Sequence, residues 1–345
     1  MTRSSRDALL ASLTALAALG AAEAALRLSG LGAELRAEDP LESRAGLLAA
    51  LPFEPEVVVL GNSRARHGLD TGALEASLSP ALGRPARAWN HGQGGVTGWS
   101  LLSGALRMLE RARPPALAVL CLAPADLVEA TPPELRHMTW SQGWRPGDLP
   151  ALLRAGVGVE DALTAFGCSL AEVLRHRARL LSLLGGAPPG SPLPADAQGY
   201  KAEAPVPADL QRARALARAE GYRRELVGPG VRLSADKLGC LEEAVRRLRA
   251  AGVRVALVMS PASSPVAALN RAPGSVVPGL LAALEALAGR QGVPFWDHTR
   301  PPGLTDADFT DGDHLNRDGA RRYTTWLAEE FLRPLLQDAS PSGPR

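Results

Sequence analysis

Cysteine, lysine and aromatic residues are scarce in this sequence. Its 345 residues include three cysteines, two lysines and 4% aromatics, and the formal net charge is only +2. The cysteines, Cys121, Cys168 and Cys240, are far apart and show no CxxC spacing, which argues against a zinc site or a disulfide framework but leaves one disulfide open. No basic cluster is interleaved with aromatics, so a nucleic-acid-binding role has little support. Arginine is abundant where lysine is missing, and we attribute this to a compositional bias rather than to function.

Apolar residues, in contrast, are numerous enough for a sizeable core. Hydrophobic residues make up 46% of the chain, whose length fits one large domain or two small ones. Short apolar segments predict buried strands at 56–60, 86–90, 116–122, 253–259 and 293–296. Leucine periodicity predicts helices at 70–78, 100–112, 235–251, 276–290 and 317–336. Strands that are apolar throughout and alternate with helices predict an α/β fold, with a mostly parallel sheet between two helical layers.

The pattern changes at about 131–235, which we interpret as a helical insertion. Its parts are predicted to be two helices around Gly167, a Pro- and Gly-rich loop and an arginine-rich helix, at 149–184, 185–207 and 210–225. Three interpretations of the insertion remain open: a lid over the site, a surface that binds a partner, or a surface addition without a function of its own. We therefore expect one domain over 56–337, followed by a disordered tail over 338–345.

The amino terminus predicts an export signal. Two arginines precede the uncharged stretch 8–22, which Glu23 interrupts shortly before Arg27. A positive region followed by an apolar segment is typical of such signals. We favour a signal anchor, with a membrane helix within 1–29 and a juxtamembrane segment over 30–55. A cleaved signal peptide and an Ala/Leu-rich soluble helix are the alternatives. Either export signal places the remaining chain outside the cytoplasm, in the periplasm or at the cell exterior.

The strongest functional pattern combines a serine with a distant Asp-x-x-His sequence. Ser63 follows the first predicted strand, and Asp311 precedes His314 by three positions, just before the last helix. Because ligands bind at the carboxyl ends of the strands in open α/β sheets, we expect these loops to meet. Ser63 is then predicted to be the nucleophile, His314 the base and Asp311 the group that orients the imidazole. An α/β-hydrolase shares this chain order, but its serine follows several strands and its Gly-x-Ser-x-Gly motif ends in glycine, where this chain has Ala65.

Further groups at the strand ends are candidates for holding a substrate. The backbone N–H groups of Ser63 and Gly95 are the natural donors to an oxyanion. The glycine-rich run 92–95 allows the backbone to approach a ligand closely. The candidates for substrate binding are Asn62, Arg64, Asn90 and His91.

Cofactors and metals have little support in the sequence. His67 and His91 lack a spaced carboxylate, so we predict no metal site. The glycines over 92–98 miss the dinucleotide-binding fingerprint by one position, so we predict no nicotinamide cofactor. Arg64 and Arg66 either hold an anionic group of a substrate or are solvated, and for Arg66 we favour solvation.

These motifs resemble those of the SGNH (GDSL-like) hydrolase superfamily. Gly61-Asn62-Ser63-Arg64 is similar to its first block, 90–95 to its second block and 311–316 to its last block. The chain resembles more particularly the membrane-anchored cell-envelope branch that includes DltD-like and alginate O-acetylation proteins. The resemblance implies a three-layer, flavodoxin-like fold. It also implies an extracytoplasmic serine ester hydrolase or O-acyltransferase, which acts on a cell-envelope glycan or lipid through an acyl-serine intermediate.

One block departs from this family. The third block is usually Gly-x-Asn-Asp, and its asparagine donates to the oxyanion, whereas Ala125 stands at that position here. Loss of one such donor can lower the rate by about two to three orders of magnitude. The alternative function is therefore a non-catalytic envelope protein, which binds a glycan or scaffolds a multi-pass membrane acyltransferase.

Overall fold

The five apolar segments form one parallel sheet. The computed structural model describes residues 3–38, 40–95, 97–131, 136, 139–140, 143–177, 180 and 198–337. The strands are β1 Val57–Gly61, β2 Ala88–Asn90, β3 Leu117–Leu122, β4 Arg254–Met259 and β5 Phe295–Asp297. They lie in the order β2-β1-β3-β4-β5, and every neighbouring pair is parallel. The predicted strands and the α/β fold are confirmed.

Helices precede, connect and follow the strands. Before β1 lie α1 Arg3–Leu28, α2 Gly30–Glu38 and α3 Pro40–Ala49. Between β1 and β4 lie α4 Ser63–Gly68, α5 Thr71–Leu82, α6 Trp99–Leu109, α7 Leu149–Arg154, α8 Val159–Leu170, α9 Glu172–Arg175, α10 Ala208–Leu226 and α11 Ala235–Ala250. After β4 lie α12 Ser264–Ala267, α13 Val277–Gln291, α14 Arg317–Leu327 and α15 Arg333–Gln337, and a π-helical turn, Ala328–Leu332, joins the last two.

Both faces of the sheet are covered because its central strands are apolar on both sides. Val58 and Leu60 of β1 belong to the buried cluster that α6, α11 and α13 cover. Val57 and Val59 belong to the cluster on the opposite face, which α4, α5 and α14 cover. Burial of each such side chain contributes roughly 1.5–3 kcal/mol. The three cysteines are buried as free thiols, so the disulfide that the sequence left open is not formed.

The register of the strands places their carboxyl ends side by side. Gly61, the last residue of β1, pairs with Cys121 of β3, and Val59 pairs with Asn90 at the end of β2. In a parallel sheet the loops that follow such strands emerge at the same edge. The loops after β1, β2 and β3 therefore lie together.

The insertion is helical, but its break differs from the prediction. Gly167 lies inside α8, and the chain instead turns over 155–158, between α7 and α8. Gly156 has a φ of 78° there, a conformation that favours glycine. The predicted arginine-rich helix is confirmed as α10. The predicted loop over 185–207 lies mostly outside the described residues, as does the predicted tail over 338–345.

The amino-terminal helix α1 contacts the insertion. Glu23 accepts a hydrogen bond of 3.0 Å from the N–H of Val173, and Arg27 donates one of 2.8 Å to the carbonyl oxygen of Leu170. The predicted membrane-spanning helix is not found: no helix in the described part of the chain is both long enough and apolar enough to cross a membrane.

Candidate active site

Ser63 stands at a sharp turn between β1 and α4. The backbone of Gly61 lies so close to β3 that an added Cβ would be 2.5 Å from the carbonyl oxygen of Cys121. Asn62 caps α4, because its side chain accepts a hydrogen bond of 2.8 Å from the N–H of Arg64. Glycine and asparagine thus end the strand and begin the helix within two residues, and Ser63 is presented at the carboxyl edge of the sheet.

The structure brings Ser63, His314 and Asp311 together in one hydrogen-bonded chain. The Nε2 atom of His314 lies 2.7 Å from the Oγ atom of Ser63. Its Nδ1 atom lies 2.8 Å from Oδ2 of Asp311. The other carboxylate oxygen of Asp311 accepts the backbone N–H groups of Asp313 and His314, each at 2.9 Å. The Asp-x-x-His spacing therefore folds into a turn that fixes the carboxylate against the imidazole.

The surroundings of His314 favour an imidazole that accepts a proton. Burial opposes the charged form, but the hydrogen bond with Asp311 and the nearby charge of Asp313 outweigh it, and the pKa of His314 lies above its ordinary value. Burial also opposes the charge of Asp311, yet its contacts with His314 hold the pKa of Asp311 below the ordinary value. Asp311 is therefore ionised and His314 is a stronger base than a free histidine.

His67 is a second histidine at the site. Its ring meets the His314 ring edge-on, with 5.2 Å between the centroids. Its Nδ1 atom donates to the carbonyl oxygen of Lys201 at 3.0 Å. Burial, together with the neighbouring His314, lowers the pKa of His67 to about 4. His67 is thus neutral near pH 7, and it packs beside the base without adding charge.

The two predicted oxyanion donors belong to adjacent loops. Gly95 has a φ of 71°, which favours glycine. In the same loop the N–H of Gln93 donates to the carbonyl oxygen of Gly61 at 3.1 Å, so the loop after β2 runs beside the end of β1. Ser63 is the first residue of α4, and its N–H therefore has no acceptor within the helix.

The third block, residues 123–126, joins the loop after β3 to the loop after β1. Asp126 accepts from the side-chain nitrogen of Asn62 at 2.8 and 2.9 Å, and from the N–H of Ala123 at 3.0 Å. Burial, partly offset by these hydrogen bonds, raises the pKa of Asp126 to about 6. Ala125 is half-buried and packs against an apolar cluster that includes Val266. The Asn62 amide is engaged with Asp126, and residue 125 supplies no side-chain donor.

Asn90 and His91 lie beneath the site rather than in it. Asn90 is fully buried, and its side-chain nitrogen donates to the carbonyl oxygens of Ala65 and Leu69, each at 2.8 Å. His91 is buried too and accepts from the indole nitrogen of Trp89 at 3.1 Å. Burial and two nearby arginines lower the pKa of His91 to about 3. These side chains hold the loop after β2 in place, and this structural role explains their polar groups without contact to a substrate.

The two arginines after Ser63 are also buried. Arg64 and Arg66 are each only 4% exposed, so the predicted solvation of Arg66 is wrong. The Nε atom of Arg64 donates to Oδ2 of Asp313 at 3.1 Å, at a buried position. Arg64 is therefore occupied by a carboxylate of the protein itself and is not directed at a substrate anion.

Asp313 is a site residue that the sequence analysis missed. It accepts from Arg218 at 2.9 and 3.1 Å and from the hydroxyl of Tyr222 at 2.5 Å, in addition to Arg64. Burial opposes its charge, but Arg64, His314 and Arg218 together hold the pKa of Asp313 far below its usual range. The signal in the sequence was its position directly before His314. Its partners on α10 lie more than 90 residues away and gave no such signal.

Comparison with solved structures gives remote likenesses, of which two are described here. No family model and no curated protein matches the chain. A structure of a protein assigned as an acylhydrolase from Bacteroides fragilis is 16% identical, with 86% of this chain and 97% of that chain covered and a TM-score of 0.40. A carbohydrate acetylesterase family member from Sinorhizobium meliloti is 15% identical, with 82% and 99% covered and a TM-score of 0.32. At these scores the likeness carries no functional argument.

One group of side chains in the described residues has the spacing of a metal site. Ligand atoms of Asp311, Asp313 and His314 all lie within 4.8 Å of one another. Each carboxylate is already held by protein donors, and both nitrogens of His314 have partners in the triad. We interpret the group as acid–base machinery rather than as a cation site.

Proposed function

We propose that this protein is a serine ester hydrolase or O-acyltransferase that works through an acyl-serine intermediate. The observation that carries the proposal is the continuous chain from Ser63 to His314 to Asp311, with 2.7 and 2.8 Å between the linked atoms. These distances are within the reach needed for proton transfer and for orientation of the base. The elevated pKa of His314 adds to its strength as a base.

The chemistry follows from this geometry. Ser63 Oγ attacks the carbonyl carbon of an ester while its proton passes to Nε2 of His314. The tetrahedral intermediate collapses, the bond to the alcohol breaks, and His314 returns the proton to the leaving oxygen. Water or a sugar hydroxyl then attacks the acyl-serine and gives its proton to His314. The bond from the acyl carbon to Ser63 Oγ breaks, and His314 returns the proton to that oxygen as the acid or the new ester leaves. Asp311 stabilises the imidazolium in both steps and is not itself protonated.

We propose that the oxyanion site has one hydrogen-bond donor fewer than is usual. Its donors are the N–H groups of Ser63 and Gly95, without the side-chain donor that an asparagine at position 125 would add. One such donor is worth about 10²–10³ in rate. We therefore expect a slow enzyme, or one whose substrate supplies a compensating contact.

We further propose that the substrate is a glycan or a lipid of the cell envelope and that the protein acts outside the cytoplasm. The support is the motif resemblance together with the charge and composition of residues 1–29. On this proposal residues 1–29 supply the export signal. A multi-pass membrane acyltransferase is the partner that we propose for it.

Covalent labelling tests the proposal. A fluorophosphonate should label the wild-type protein at Ser63 and should leave Ser63→Ala unlabelled, with an unchanged circular dichroism spectrum. Ser264→Ala, which removes an exposed serine at the start of α12, is the matched control and should label normally. Labelling of Ser63→Ala at the wild-type level would reject Ser63 as the nucleophile.

Ala125 favours a second candidate, a non-catalytic protein that binds a glycan in the same place. The missing donor weakens catalysis while leaving the neighbouring loops folded and joined through Asn62 and Asp126. No labelling of the wild type and no ester hydrolysis, combined with measurable binding of an oligosaccharide, would favour this candidate over the enzyme.

A further inference from the structure

The helix α10 of the insertion contacts each residue between the acid and the base. Gln211 donates to the carbonyl oxygen of Asp311 at 3.2 Å. An added Cβ on Gly312 would lie 2.9 and 3.0 Å from Cβ and Cγ of Arg218, so the helix and the loop are in tight contact there. Arg218 also binds the carboxylate of Asp313. One face of α10 is thus fitted to the loop that carries His314.

The carboxylate of Asp313 links this helix to the base. Its Oδ1 atom lies 3.5 Å from Nδ1 of His314, which also contacts Asp311. Its side chain is 1% exposed, and its two oxygens are held by Arg64 from the first block and by Arg218 and Tyr222 from α10. A buried charge with several fixed donors cannot rotate freely, so its field at His314 is constant.

The two arginines and the tyrosine form one stacked unit. The guanidinium of Arg218 lies 4.7 Å from the centroid of the Tyr222 ring, and that of Arg64 lies 5.2 Å from it. Cation–π contacts of this kind add to the ion pairs when they are shielded from water. The phenol therefore does more than donate to Asp313, because its ring also contacts both guanidinium groups.

We propose that Asp313 is a second carboxylate that positions His314, and that α10 contributes to the catalytic site by holding the Asp313 side chain in place. The proposal rests on the proposed function and deepens it, because it makes the insertion a working part of the acyl-transfer site. His314 would then face Asp311 and Asp313 from its own loop, Arg218 from α10 and neutral His67 from α4. Loss of the contacts with α10 should therefore change the protonation of His314 and the labelling rate of Ser63, and not only the stability of the fold.

Opposite substitutions give the sharpest test. Asp313→Asn removes a negative charge that faces His314, so the pH at which activity falls on the acid side should move down. Arg218→Gln removes a positive charge, so the same limb should move up. Tyr222→Phe keeps the ring but removes the donor, and should slow fluorophosphonate labelling by about tenfold, the size expected for a slightly misplaced base. Arg212→Gln, on the exposed side of α10, is the matched control and should change neither quantity.

The readouts separate this proposal from the proposed function. NMR titration of the His314 ring reports its protonation whether or not the protein turns over an ester. Opposite displacements of that titration in Asp313→Asn and Arg218→Gln support the proposal, even if no labelling occurs. Equal titrations in all variants, with only a lower melting temperature, would reduce the cluster to a structural role and overturn it. If Asp313→Asn fails to fold, Arg218→Gln and Tyr222→Phe still decide the question.

Discussion

The buried carboxyl of Asp126 should make the folded state less stable as the pH rises. Its side chain is 7% exposed and is held by Asn62 and Ala123, and burial raises its pKa from 3.8 to about 6. Because one pKa unit corresponds to about 1.4 kcal/mol, this rise is worth about 3 kcal/mol. The sign follows from the raised value. Well below pH 3.8 the group is protonated in both states, and the stabilisation is complete. This stabilisation is lost as the pH rises through about 6, because the carboxyl group of Asp126 then ionises in the folded protein too.

The assay is urea unfolding of the wild type and of Asp126→Asn at several pH values between 4 and 7.5. The variant does not titrate at this position, so the difference between the two free energies of unfolding isolates the carboxyl group. Between the two ends of the range, that difference should change by about 2 kcal/mol against the wild type, because the unfolded chain is already partly ionised at pH 4. A change of that size is large for a typical domain. A level difference for Asp126→Asn would refute the reasoning.

Four further predictions concern the triad, its loop and the helix α10. Asp311→Asn should lower kcat/KM for ester hydrolysis by about 10³–10⁴ while the circular dichroism spectrum still shows a folded protein, and a loss below tenfold would contradict its role. Activity should fall with decreasing pH through a pKa above the 6.5 of an ordinary histidine, because only neutral His314 accepts the serine proton; a pH–rate profile checks this. Gly312→Ala should lower both melting temperature and labelling rate, since a Cβ would lie 2.7 Å from Val266 Cγ2. Gly221→Ala on α10, with nothing within 4 Å, should instead stabilise the protein by about 0.5–1 kcal/mol.

The strands were predictable because each is a short, mainly apolar run, whose polar residues, such as Asn90, Arg254 and Asp297, lie at its ends. A strand covered on both faces needs such a run, and the order of runs and helices along the chain then selects a parallel sheet. The break in the insertion was not predictable in the same way. Gly167 is tolerated inside α8, whereas Gly156 adopts a positive φ and turns the chain, and composition does not distinguish the two.

The candidate triad was predictable because its members lie in short motifs at strand ends. Asp313 illustrates what such motifs leave out. Its identity is visible beside His314, but its role depends on Arg218 and Tyr222, which a helix more than 90 residues away brings to it. Asn90 illustrates a second gap, since its amide nitrogen, at a strand end, donates to two backbone carbonyl groups that the sequence pattern does not indicate.

The exposure of the triad bears on the choice between hydrolysis and acyl transfer. In the part of the chain that the structure describes, the side chains of His314 and Asp311 are 19% and 26% exposed, and that of Arg218 above them is 43% exposed. The helix α10 therefore braces the base from one side and does not seal it from solvent. An acyl-serine is protected from water only where the site closes around it. We accordingly expect the isolated chain to hydrolyse its acyl-enzyme, and expect transfer to a sugar hydroxyl only where a bound acceptor or a partner displaces that water.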